Sequence, residues 1–128
     1  MGMQPANIHH NLYQGPKKLA DPGDGGTIVV TEDLSVYELV SVGADETRIL
    51  QNPTKPGIRF TMRMLTDGGD IIVSAENGLN VQLETHVTFA DADDMLELIS
   101  VTKTAGSPPS AAVHRWQVHD GNIGVAIV

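Results

Sequence analysis

Ile58-Arg59-Phe60-Thr61-Met62-Arg63-Met64-Leu65 reads with a period of two. Ile58, Phe60, Met62 and Met64 point one way, and Arg59, Thr61 and Arg63 the other. That is the pattern of a half-buried strand and not of a helix. Asp67-Gly68-Gly69-Asp70 follows, and an Asp-Gly pair tolerates the positive φ of a primed turn. Ile71–Ala75 (IIVSA) then reads as a returning strand, so the sequence predicts a hairpin over 58–75.

The same pattern extends in both directions. Asn77-Gly78 is a second hairpin signal. Val81–Phe89 alternates again, with Val81, Leu83, Thr85, Val87 and Phe89 facing inward. Met95–Thr102 is apolar on both sides, as a central strand is, and Ile99, Val101 and Thr102 disfavour a helix there. Val113–His119 is a strand with Trp116 and Val118 inward, Asp120-Gly121-Asn122 turns, and Gly124–Val128 closes the chain. Upstream, Thr27–Val30 and Ser35–Val40 are β-branched runs. Val, Ile and Thr supply a quarter of the chain, which favours strands over helices. No repeat of fixed period is present. About nine short strands with turn signals between them predict an all-β domain over residues 26–128, a small β-sandwich or β-tulip of jelly-roll-like type.

Residues 1–25 differ. Pro5, Pro16 and Pro22 interrupt a polar segment with no sustained period, which alone buries too little to fold. It reads as an extended N-terminal arm, spanning up to about 80 Å. Such an arm contributes little to the free domain, so loss of residues 1–22 is expected to leave melting nearly unchanged.

The chain has 128 residues, 41% of them hydrophobic, and a formal charge of −8. Eight basic residues against 16 acidic ones disfavour nucleic acid and anionic membranes as partners. The absence of cysteine removes disulfides, zinc–thiolate sites and Cys nucleophiles. The N-terminus lacks the apolar core of a signal peptide, and no apolar stretch is long enough to span a bilayer.

The candidate chemistry is thin. His9, His10, His86, His114 and His119 do not form the His-x-His arrangement of a cupin metal site. His114 and His119 fall on opposite faces of one strand and cannot converge on an ion. Asp91-Ala92-Asp93-Asp94 begins like a calcium loop but lacks the glycine and the closing Glu; the plain reading is a solvated turn whose carboxylates cap backbone amides. No serine stands in a nucleophile elbow and no glycine loop precedes a helix. No enzyme, metal or cofactor is expected.

The segments GDGGTIVV (23–30), R-x-L-x-x-P-T-K-P-G-I-R-F-T (48–61), TDGGD (66–70), VTFADADD (87–94), LISV (98–101) and HRWQVHDGN (114–122) are spread over residues 23–122, most of the chain. In this order and spacing they resemble a group of small β-domains encoded beside the head genes of tailed bacteriophages, the capsid decoration (cement or head-fibre) proteins. The resemblance implies a homotrimer on the outer capsid surface of the virion, made in the host cytoplasm, with the major capsid protein as partner. It transfers no catalytic residue. Asn11, Leu12, Tyr13 and Gln14 are then the candidate capsid contacts in the arm, since extended backbone can add a strand to a sheet edge. Lys17 and Lys18, a basic pair in an acidic chain, complete the set. Two other readings fit the composition. One is a tail-fibre or receptor-binding tip, which normally follows a longer shaft. The other is a carbohydrate-binding β-module, which five aromatic residues (Tyr13, Tyr37, Phe60, Phe89 and Trp116) serve poorly.

Overall fold

The computed structural model of the chain describes residues 17–80, 83–103 and 113–128. Every helix or strand among them is a strand. In order they are β1 (Lys17–Leu19), β2 (Gly26–Ile28), β3 (Ser35–Val40), β4 (Glu46–Leu50), β5 (Arg59–Thr66), β6 (Ile71–Leu79), β7 (Glu84–Phe89), β8 (Met95–Thr102), β9 (His114–Ile123) and β10 (Ala126–Ile127). The all-β class expected from the sequence is the observed one.

The alternation at 58–65 is met. Phe60, Met62 and Met64 are buried on one face of β5, and Arg59, Thr61, Arg63 and Leu65 lie on the other. The hairpin is not. β5 lies between β3, parallel, and β8, antiparallel. β6 lies between β4, parallel, and β7, antiparallel. Residues 67–70 therefore form an arch that carries the chain from one half of a curled mixed sheet to the other. The reason lies in the glycines. Neither Gly68 nor Gly69 takes the positive φ that a primed turn requires. A Cβ on either would run into the backbone of residues 41–45, which make the arch beneath. Here glycine serves close approach rather than turn handedness.

This arrangement occurs three times. β1 and β2, β3 and β4, and β5 and β6 are each joined by an arch. The first strands stack in parallel as β1, β3, β5 and the second strands as β2, β4, β6. Parallel neighbours need a crossover, and here each crossover runs through the opposite half of the sheet. The register offset differs between coils: Lys17 pairs with Ser35, whereas Ser35 pairs with Phe60. The stack is thus a repeat of shape without a repeat of sequence.

Polar groups tie the arches. Ser41, fully buried, donates from Oγ to the Gly69 carbonyl at 2.6 Å and accepts from the Gly68 amide at 2.8 Å. Asp45 accepts from the Asp70 amide, and Asp24 from the Thr47 amide. Gly69→Ala should cost about 2 kcal/mol, because the arch backbones must separate. A urea midpoint that does not move would show that the arches slide apart freely.

The last four strands cap the third coil. β7 pairs with β6, β8 with β5, β9 with β8, and β10 with β7. A single parallel bridge, Leu79 to Trp116, joins the two halves. Between them lie Leu39, Phe60, Met62, Leu98, Ile28, Leu50, Val73 and Phe89, all essentially without solvent contact.

Other expectations need adjustment. Asn77-Gly78 sits inside β6, at a register irregularity between Ser74 and Leu79, and the turn to β7 comes later, with Asn80 and Leu83 among its residues. Leu83 takes φ 60° and precedes β7, so it is not an inward strand position. Val81 lies outside the described residues. Asp120-Gly121-Asn122 does not turn but continues β9, whose pairing with β8 is irregular between Leu96 and Leu98. β4 has no counterpart among the expected strands. The boundary of the arm also moves: Lys17–Leu19 is a strand of the sheet, and Asp21 is bonded into it.

Candidate functional site

Of the candidate capsid contacts, Asn11, Leu12, Tyr13 and Gln14 lie outside the described residues. Lys17 and Lys18 are on β1. Lys17 is ion-paired with Glu32 at 3.0 Å, and Lys18 with Glu38. Glu38 also holds Arg63 at 3.0 Å. Lys18, first, and then Arg63 keep the Glu38 carboxyl below the usual carboxylate range. Both lysines are thus matched within the chain and do not form a free basic patch.

What these residues mark is an edge. Among the described residues β1 pairs with β3 alone and β2 with β4 alone. Both strands of the first coil therefore present one side that no described residue pairs, at the same end of the stack. The chain enters the described fold at Lys17, on that end. An exposed edge offers a row of backbone donors and acceptors to an added strand. Each of these two strands is only three residues long, which limits unspecific pairing.

Just behind the edge lies a charged residue that is fully enclosed. Arg48 on β4 has no solvent exposure. Its Nε and one terminal nitrogen donate to the two Asp21 oxygens at 2.7 and 2.9 Å. Further bonds reach Glu46 Oε1 and the carbonyls of Val40 and Thr47. Asp21 in turn accepts from the amides of Val40 and Gly23. Burial raises the Asp21 carboxyl, but the bond from Arg48 and the two amides outweigh it, and its pKa lies below the ordinary value. This cluster fastens the first arch onto the second. Its donors and acceptors are spent on one another, as in a structural knot.

The histidines stay apart. His119 faces the outer side of β9, 3.8 Å from Glu97; His114 reaches Thr102, and His86 reaches Thr85. No group of three metal-ligating side chains occurs among the described residues. In the turn 91–94, Asp94 Oδ2 accepts from the amides of Ala90 and Asp91, the backbone-capping role expected of it. Asp93, at φ 75°, pairs with Arg63. A hollow of about 160 Å³, lined by Leu34, Val36, Arg59, Thr61 and Glu97, is smaller than a site that encloses a metabolite. Trp116 is buried in the core, so it offers no platform to a ligand.

No protein-family model matches the chain, and no curated protein matches it.

Proposed function

We propose that the protein is a capsid decoration protein, a homotrimer that clamps capsomer junctions from the outside of a bacteriophage head. The observation that carries this reading is that Lys17, the first described residue, lies in β1 at the end of the strand stack, so residues 1–16 join the body there. In this reading the β-body holds its shape while residues 1–16 and the edge strands bridge to neighbouring chains. The resemblance stated above supplies the capsid, the trimer and the outer surface. The arm that serves as anchor is now residues 1–16, with Asn11–Gln14 as its contacts and a reach of at most about 50 Å.

Removing residues 1–16 should leave the melting temperature within about 2 °C of the full chain, since β1 and Asp21 remain. The same truncation should weaken binding to undecorated shells at least tenfold in a sedimentation assay, because ordering the arm supplies the contacts. Salt should weaken binding little, because Lys17 and Lys18 are already paired within the chain. Truncated protein that saturates shells at the concentration of the full chain would move the anchor to the β-body. Copy number in purified virions separates head from tail: hundreds of copies fit the capsid, a handful fit a fibre tip.

A further inference from the structure

The two outer faces of the curled sheet differ in charge. On the half formed by β3, β5, β8 and β9, the outward positions include Glu38, Arg59, Arg63 and Glu97. They are joined with Asp33, Asp93 and His119 in ion pairs of 4 Å or less. That is a solvated surface. Among the described residues the outward positions of the other half form no such ion pairs. Its strands align Thr27 with Ile49, Ile49 with Ser74, and Ser74 with His86. The next row aligns Thr47 with Ile72, Ile72 with Thr88, and Thr88 with Ala126. Neither row contains an Asp, Glu, Lys or Arg, in a chain where those four types make up 19% of residues. Beyond the rows lie Asp70 on one side and Glu76 and Glu84 on the other, and Asp24 borders the second row, where its carboxylate accepts from the Thr47 amide at 2.8 Å. Ile49 is 43% exposed, and Val29 beside it 45%. Five strands about 4.8 Å apart make this a platform roughly 20 Å across.

We propose that this uncharged face is where copies of the chain meet. The occupant follows from charge. Two copies at −8 repel wherever carboxylates approach. Among the described residues the platform is a surface on which a second copy can be approached without burying like charges, and its rows give a charged partner nothing to recognise. Interface cores are depleted of charge in the same way, with β-branched side chains able to interdigitate between sheets. In a threefold assembly the three platforms line the axis, which leaves the arch ends and the open β1 edge outside for other partners. The number of copies rests on the function proposed above; the face does not.

The test uses the full chain in solution. Light scattering at about 10 µM should give a multiple of the 13.7 kDa chain mass. Ile49→Glu and Ser74→Arg should each reduce it to a single chain, with the β-type circular dichroism unchanged. Leu65→Glu, an equally exposed apolar position on the charged face, should leave the assembly intact. Because the chain has no cysteine, Ser74→Cys and Leu65→Cys each accept one spin label. Distances between copies should be shorter from position 74 than from 65, a reading that needs no disruptive variant. A wild-type chain of single mass at about 100 µM, or shorter distances from 65, overturns the proposal. A dimer dispersed by Ile49→Glu keeps the face and overturns the trimer. An oligomer that ignores bare shells keeps the face and overturns the capsid function.

Discussion

Trp116→Ala should destabilise the protein by about 3–5 kcal/mol, lowering the melting temperature by on the order of 10–20 °C. Trp116 is 1% exposed. Its ring meets Phe60 edge-on at 4.7 Å between centroids, and Phe60 meets Tyr37 in the same manner at 6.4 Å. The three rings run from β9 through β5 to β3, across the middle of one half of the sheet. The indole N–H donates to the Gln51 carbonyl at 2.9 Å, in the segment that returns from the second coil to the third. The backbone of Trp116 also makes the bridge to Leu79 and accepts from the Asn80 amide. One residue thus fills the core, anchors a return segment and closes the two halves. Truncation removes the first two contributions. Trp116→Phe isolates the second: it keeps most of the apolar volume but leaves the Gln51 carbonyl unpaired, and should cost about 1–3 kcal/mol. Chemical denaturation of both variants at pH 7 checks the pair. A Trp116→Ala midpoint equal to wild type would mean that the ring is not packed as described.

The inward face of β5 was legible because apolar and polar residues alternate over Ile58–Met64, and burial on one face forces that pattern; β3 and β8, with a serine inward and Val36, Val40, Ile99 and Val101 outward, were legible as strands but not by face. β4 escaped because its inward positions are Arg48 and Leu50 and its outward one is Ile49. With a guanidinium in the core, the alternation inverts, and only the acceptors around Arg48, which come from three separate segments, make sense of it. Pairing partners were less legible than strands. Asp67-Gly68-Gly69-Asp70 has the composition of a hairpin turn, yet its glycines answer to the neighbouring arch at Ser41–Asp45, a contact that no local signal encodes. The uncharged face escaped for the same reason. Thr27, Ile49, Ser74 and His86 are scattered along sixty residues and become one row only through the parallel stacking of coils. The start of the body was not legible: Asp21, which the prolines around it set apart from the domain, belongs to the fold because its partner Arg48 lies 27 positions on.

Asp21→Ala should cost about 3–4 kcal/mol, because it leaves the Arg48 guanidinium in a dry site without its two-oxygen partner. Arg48 is wholly enclosed, whereas the side chains of Asp21 and Glu46 retain 14% and 13% of their exposure. Arg48→Met should therefore cost less, about 1–2 kcal/mol: it removes the charge that is most expensive to desolvate, and the two carboxylates left behind still touch water. The double variant should be less destabilised than the sum of the singles. Acid acts on the same contact. The folded-state pKa of Asp21 is depressed, so its contribution is complete above the unfolded value near 3.9 and fades as pH falls through the folded one. The stability gap between wild type and Asp21→Ala should then be constant from pH 7 to about pH 5 and narrow below about pH 4. A gap that widens with acid would reverse the sign of the linkage. The truncations complete the test. A chain beginning at residue 23 lacks both β1 and Asp21, and should lose at least as much stability as Asp21→Ala. A chain beginning at residue 17 keeps both and should melt with the full protein. Equal melting of the two truncated chains would mean that the first arch is not fastened by Arg48. The same comparison decides which truncation is fit for a shell-binding assay, since only a stable body can report on the loss of its arm.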